Sequence, residues 1–292
     1  MGYLKPAPGE TVADCTLGFG RHAMEFLRHT APDGRLIGLD VDAAELDRTR
    51  QRLDAFARRL SLHRRNFAEL PDVLAGEAPG GVDILFADLG VSSMQIDDPA
   101  RGIGYAHDGP LDMRLDDRLP RTAADVLATI PPAELAAALA ELSDEPAAET
   151  IAQWIARQRQ VRPLETVNDL AALVLAAKGF SLRQRIKPWE VPGGLHPAAR
   201  TFQTLRLLVN DELASLRRLL AAAPACLKPG GRIGVISFHG GEDLLVRESL
   251  AASRDAGTYD LVATVAVRPT DQEVRANPRS ASARFRWARK SS

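Results

Sequence analysis

The chain has 292 residues, 45% of them hydrophobic, and a formal net charge of −1, the composition of a globular protein with a substantial core. That balance argues against a protein that coats nucleic acid non-specifically and permits a local basic surface. Cys15 and Cys226 belong to no Cys/His cluster, so neither a zinc site nor a disulfide framework is expected, and with no signal peptide or membrane-length apolar window the reading is a cytoplasmic protein.

Residues 10–14 read as a strand, followed by a glycine-containing loop and a helix over 21–31. A strand over 35–40 and a helix over 43–60 follow, then a short strand at 61–63 and a helix over 69–75. Residues 82–88 form a continuous apolar run, as expected for a strand buried on both faces. Strands alternating with helices imply βαβ units and a parallel sheet. The rhythm breaks at 89–119, an irregular stretch rich in Gly, Asp and Pro, and loops of that length are usually functional. Residues 122–179 are rich in Ala and Leu with helical periodicity and no strand, and 188–197 is again irregular.

Beyond Arg200, Phe202, Leu205, Val209, Leu213, Leu216 and Leu220 form one apolar stripe of a single helix. A turn at Lys228-Pro-Gly-Gly231 leads into a strand over 232–238, then a helix over 242–252 and a strand over 259–267. The last segment alternates, with Ala281, Ala283, Phe285 and Trp287 on one side and Ser282, Arg284 and Arg286 on the other, as a half-buried final strand. The expected organisation is an α/β domain in two parts, 1–115 and 198–292, with a helical insertion at 116–197.

Three motifs carry chemistry. Asp14-Cys-Thr-Leu-Gly18-Phe-Gly20-Arg-His22-Ala23 places a glycine loop between strand and helix, where a ligand can approach the backbone and meet a helix N-terminus. An ordinary glycine turn would look the same. Asp40 ends the second strand about twenty residues past Gly20, where a carboxylate can accept ribose hydroxyls, while Asp42 reads as a helix N-cap. Both NAD and S-adenosylmethionine satisfy loop and acid. The Lys-Pro-Gly-Gly turn before a late strand looks like a methyltransferase layout, and no second mononucleotide-binding half is evident. The third motif, DLGVSSMQIDD from Asp88 to Asp98, begins at the tip of the buried strand, where open α/β sheets bind ligands. Its aspartates lack calcium-loop spacing, and no metal is expected.

That motif, the GPLDMRLD segment at 109–116, His196-Pro-Ala-Ala-Arg-Thr-Phe-Gln203 with Val209-Asn-Asp-Glu-Leu213, Ile236-Ser-Phe-His239 and Asn277-Pro-Arg279 resemble the small-subunit rRNA cytosine-N4-methyltransferases (RsmH/MraW). The resemblance spans most of the chain. It implies a class I S-adenosylmethionine-dependent methyltransferase fold, Rossmann-like with a mostly parallel sheet, interrupted by an all-helical domain. It also implies cofactor contacts at Gly20, Arg21, His22, Asp40, Phe67, Asp88 and Gln95, to which the loop adds Gly18. From its own surroundings Phe67 would read as plain core. The implied substrate is a cytidine of small-subunit (16S) ribosomal RNA. Four departures from the family stand out: its His-x-Pro-Val opening segment is missing, its paired glycines are here Gly20-Arg21, its Ser-Phe-His-Ser-Leu-Glu-Asp is here Ser-Phe-His-Gly-Gly-Glu-Asp, and the region after that is shorter.

Methylation of an amine requires alignment with the sulfonium methyl, which positioning alone can favour by about 10⁵ M of effective molarity or more. A carboxylate accepting an N4–H would stabilise the charge that develops on the nitrogen; Asp88 is the candidate, alongside its implied contact with the cofactor. Methylation at C5 would need a cysteine nucleophile, and neither cysteine is suitably placed. A splayed base would need an aromatic platform, for which Tyr105 and Trp189 are candidates. Arg200, Gln203, Arg206 and Asn210 share the polar side of one helix, and Arg183, Arg185 and Lys187 form a basic cluster; a solvated face explains each equally well. Asp112, Arg114 and His239 complete the candidates for substrate contact. Two rivals stay open: a methyltransferase acting on another RNA or a small amine, and a non-catalytic RNA-binding assembly factor in which Arg21 crowds the cofactor loop. A homodimer is compatible with the sequence and not indicated by it.

Overall fold

The computed structural model describes residues 1–180 and 195–292. They form two compact units, Met1–Gly90 with Leu213–Ser292, and Val91–Glu212. Trp189 and the cluster of Arg183, Arg185 and Lys187 lie outside the described residues.

The first unit opens with β1 (Thr11–Asp14), α1 (Arg21–His29), β2 (Arg35–Asp40), α2 (Ala43–Arg52), β3 (Leu60–Arg64), α3 (Leu70–Glu77) and β4 (Val82–Asp88). Successive strand residues face opposite sides, and both sides are covered. Val12, Leu36, Ile84 and Phe86 pack with Phe26 and Leu27 of α1 and Leu46 of α2. Ala13, Ile37, Leu39, Leu85 and Ala87 pack with Leu70, Val73 and Leu74 of α3. Burial on two faces is why these strands read as unbroken apolar runs. The helix expected over 43–60 stops at Arg52. A 3-10 turn, Asp54–Arg59, continues to β3, fixed by Arg59 donating to the carbonyls of Leu27 and Gly34.

The second unit holds α4 (Ser93–Asp97), α5 (Ala123–Thr129), α6 (Pro132–Ser143), α7 (Ala148–Val161), α8 (Val167–Ala177) and α9 (Ala199–Asn210). Its core joins Leu127, Leu139, Ile151, Ile155 and Leu170 to Leu111 and Met113 at one end and Phe202 and Leu205 at the other. The unit is therefore wider than residues 116–197. Thr122 with Asp125, and Thr166 with Asp169, start α5 and α8 as reciprocal capping boxes.

The apolar stripe read as one helix is two. Asp211 adopts a left-handed conformation (φ 50°) that ends α9, and α10 (Glu212–Cys226) begins beside it. Phe202 and Leu205 thus serve the helical core, while Leu216, Leu219 and Leu220 serve the sheet. Spacing alone cannot reveal a break that preserves the period.

The first unit resumes with α10, β5 (Leu227–Ser237), α11 (Gly240–Asp255), β6 (Tyr259–Val262), α12 (Asp271–Ala276) and β7 (Arg284–Lys290). Strand order is β3-β2-β1-β4-β5-β7-β6, with the first five strands parallel and β7 antiparallel to both neighbours. Lys228–Gly231 is a bulge inside β5, where the register with β4 jumps from Val82–Leu227 to Ile84–Arg232. The final strand is covered on both sides: Phe285 and Trp287 pack on one core, while Ala288 and Arg286 are buried on the other. Arg286 is admitted because Asp243 of α11 accepts from its Nε and Nη2 at 2.7 and 3.1 Å. Among the described residues, no helix is long and apolar enough to cross a membrane.

Replacing Asp243 by Ala would leave a buried guanidinium without its counter-charge, and denaturant unfolding should show a loss of about 3 kcal/mol. The double replacement Asp243→Leu, Arg286→Met should recover most of that loss.

Candidate functional site

From β1 the chain steps outward through β2 to β3, then returns to place β4 on the other side of β1. This reversal opens a crevice at the carboxyl ends of β1 and β4, the position at which doubly wound sheets bind ligands. Register determines what faces it. Asp14 is level with Gly38 on β2 and with Phe86 on β4. Asp40 and Asp88 each lie two residues further along, about 7 Å beyond that level. Residues level with one another face the same side of a parallel sheet, so Asp14, Asp40 and Asp88 all project toward the α1 side. Three carboxylates from three adjacent strands converge there.

Such a cluster is costly when all three are ionised. Burial, together with the charges of Asp88 and Asp40, raises the Asp14 carboxyl to about 7, against the lowering influence of His22 and the Thr16 amide. Burial likewise raises Asp40 to about 6, although its oxygens accept from the Gly18 amide at 2.7 Å and the Asp42 amide at 2.9 Å. Burial pulls His22 down, but Asp88 and Asp14 outweigh it and leave the imidazole above its usual value. His22 Nε2 lies 3.6 Å from Asp88 Oδ2, and its ring packs on Phe86 at 4.8 Å. Asp14 Oδ2 and Asp88 Oδ1 are buried with no hydrogen-bond partner among the described residues. Buried acceptors without donors are rare, and two in one crevice suit a ligand that brings donors or positive charge.

The glycine loop is built around the same acids. Gly18 (φ 45°) and Gly20 (φ 76°) adopt positive φ, and a Cβ on Gly20 would lie 2.6 Å from Thr49 Cγ2. Thr49 Oγ1 donates to the Gly18 carbonyl at 2.6 Å, and Arg52 donates to the Phe19 carbonyl while lying over the Phe19 ring. Among the described residues, no side chain caps α1. Arg21 is exposed, and its guanidinium lies 5.4 Å from the Phe19 ring centroid. Thr16 Oγ1 accepts the Asp88 amide at 2.6 Å, so Thr16, Thr49 and Arg52 all shape the loop through contacts distant in sequence, and no local pattern marks them. Asp14 was findable: it ends a strand directly before the glycines.

Other candidates are held by their own surroundings. Phe67 follows β3 and packs, half-buried, on the sheet core. His239 caps α11, its Nδ1 accepting the Glu242 amide at 3.4 Å while Glu242 accepts the Phe238 amide at 2.9 Å. In the second unit, Gln95 Oε1 accepts the Ser92 amide at 2.9 Å in a capping box at the start of α4. Asp112 pairs with Arg114 through two hydrogen bonds of 2.7 and 2.8 Å. Asn210 accepts the Leu115 amide and donates to the Met113 carbonyl, each at 2.8 Å, fastening that loop to α9.

The polar face of α9 is not the open cationic face that its spacing suggests. Arg206 is neutralised by Glu212 at 2.8 and 3.1 Å, a pairing made across the helix break, and Arg200 donates to the Asp144 carbonyl. Gln203 is half-buried between them in sequence. Tyr105 stacks on His196 with centroids 4.4 Å apart and keeps 37% of its surface exposed. Among the described residues, no group of three or more His, Cys, Asp or Glu side chains is arranged to hold a metal ion.

A parallel sheet with an antiparallel β7 between β5 and β6, a glycine loop after β1 and acids at the ends of β1, β2 and β4 define a class I S-adenosylmethionine-dependent methyltransferase. The donors and charges fit that cofactor: a ribose diol can donate to Asp40, and a cationic methionine end suits the unpartnered oxygens of Asp14 and Asp88. The chain belongs to the MraW methylase family, whose model matches residues 1–291. It is 42% identical over 301 residues to the ribosomal RNA small subunit methyltransferase H of Symbiobacterium thermophilum, covering 98% of this chain and 92% of that one. The protein of the same name from Acidothermus cellulolyticus is 43% identical over 304 residues, covering 99% and 88%. That of Syntrophobacter fumaroxidans is 41% identical over 297 residues, covering 97% and 91%.

Because the folded-state value of Asp14 lies above its unfolded value of 3.8, its proton favours the folded state at low pH, and that contribution is lost as pH rises to about 7. Asp14→Asn should therefore melt progressively higher than the parent protein as pH increases from 4 to 7, with the gap constant above that. Melting curves of both proteins across this range check it; a gap independent of pH would contradict the burial argument.

Proposed function

We propose that this enzyme transfers a methyl group from S-adenosylmethionine to the exocyclic N4 amine of a cytidine in small-subunit (16S) ribosomal RNA, in the cytoplasm. The reading rests on Asp88, a carboxylate at the tip of β4 with one buried oxygen left unpartnered and the other beside His22. It is supported by near-full-length likeness to proteins named for methylation of the small-subunit RNA.

The cofactor supplies an electrophilic methyl on a sulfonium, so the protein's work is positioning and charge. Gly18, Gly20 and Arg21 would hold the cofactor through their loop, Asp40 would accept its ribose hydroxyls, and Phe67 would offer it an apolar contact. His22, 3.6 Å from Asp88 Oδ2, orients that carboxylate. Gln95, whose carbonyl oxygen serves the cap of α4, is the remaining residue we assign to the cofactor.

Asp88 accepts a hydrogen bond from the N4 amine, which draws the nitrogen lone pair out of conjugation and stabilises the developing positive charge. Attack at C5 is disfavoured: both cysteines are buried, and burial raises their thiols above the usual range, away from the thiolate such a step needs. On the second unit, the exposed ring of Tyr105 offers a stacking surface to a splayed base. Asp112, Arg114, Arg200, Gln203, Arg206 and Asn210 support RNA recognition by holding that surface in shape, and His239 does the same for the start of α11.

Asp88→Asn keeps the side chain's shape and removes its charge. Methyl transfer should fall by about 10²–10³, with the melting temperature preserved; full activity would remove Asp88 from the mechanism. In a deletion strain, mass spectrometry of small-subunit rRNA should show the loss of one N4-methylcytidine-type mark. An unchanged modification profile would reject the target.

A further inference from the structure

We infer that the connection between β6 and β7 is a phosphate-binding rim that grips the RNA strand a few nucleotides away from the methylated base. This rests on the RNA reading above. One row of paired residues crosses the sheet from Asp88 to Ile236, from Ile236 to Phe285, and from Phe285 to Val267. Three strand spacings of about 4.8 Å place Val267 about 14 Å from Asp88 at the same carboxyl edge. That distance is about four nucleotides at the 3.4 Å rise of a stacked strand.

The rim carries positive charge that the protein does not consume. Arg268, immediately after Val267, and Arg275 of α12 are exposed, and neither makes a hydrogen bond or ion pair among the described residues. At the other end of the connection, Arg284 is level with Ser237 at the end of β5. Its guanidinium is 3.6 Å from Asp243, a carboxylate already held by Arg286, and its Nε is buried without a partner among the described residues. Arg247 faces the same carboxylate, so three guanidinium groups share one negative charge. The acids of the connection, Asp271 and Glu273, stand in the first turn of α12, where they offset the helix dipole, and Glu273 is further engaged with Thr270. Arginines supply the contacts that fix register on a nucleic-acid backbone without reading sequence.

The test is the double variant Arg268→Glu, Arg275→Glu, assayed with small ribosomal subunits from the deletion strain as methyl acceptor. KM for the subunits should rise at least tenfold while kcat and the affinity for S-adenosylmethionine stay within twofold. The slope of log affinity against log salt should become shallower by about 1.4–1.8, the value of two lost phosphate contacts. Arg268→Lys, Arg275→Lys should retain the parent KM and slope, whereas a structural role that needs the guanidinium would raise KM in both variants with the slope unchanged. Unchanged KM and slope in the Glu variant, with normal activity of the parent, would overturn this inference alone. A parent protein that neither binds nor methylates the subunits would overturn it together with the RNA reading.

Discussion

Like charges brought together at the end of a sheet are the constraint from which the rest of this site follows. Parallel register turns Asp14, Asp40 and Asp88 to one side, and none can move away without breaking the strand that carries it. The fold tolerates them by different means. Asp40 is held by two backbone amides, Asp88 by the neighbouring imidazole, and Asp14 by retaining its proton to about neutral pH. The protein thereby holds an acceptor-rich, electronegative crevice ready before a cationic cofactor arrives, and the expense is borne by the apolar layers on both faces of the sheet.

Division of labour between the two units follows the same logic. The sheet unit supplies rigid strand tips, which place carboxylates more precisely than loops can. The second unit binds its polar side chains to itself: Asp112 to Arg114, Arg206 to Glu212, and Asn210 to the loop at Met113–Leu115. These residues define a surface rather than extend from it, so their replacement should alter shape before it alters charge.

Much of the sheet was legible because strands buried on two faces must be continuously apolar, as the run ending at Asp88 is. The candidate acids Asp40 and Asp88 stood out for a related reason: each closes an apolar strand at the carboxyl edge of the sheet. What sequence could not supply was register: Asp14 is visible before the glycine loop, but its level with Phe86 and Gly38, which turns it to the same side as Asp40 and Asp88, is not. The break at Asp211 was hidden because α10 takes up the apolar stripe where α9 leaves it, and with it the Arg206–Glu212 pair was hidden as well. Gln95 shows the converse: Ser92-x-x-Gln95 is a local capping pattern readable from four residues, and the structure uses it as one.

The most direct measurement is the proton balance of cofactor binding. Titration calorimetry with S-adenosylmethionine, run at pH 6.5 in buffers of different ionisation heat, should show protons released as positive charge and ribose donors reach Asp14 and Asp40. At pH 8.5, where both carboxyls have already ionised, the release should vanish. Tight binding whose heat is independent of buffer at pH 6.5, or no binding at all, would contradict a cofactor bed made of these carboxylates.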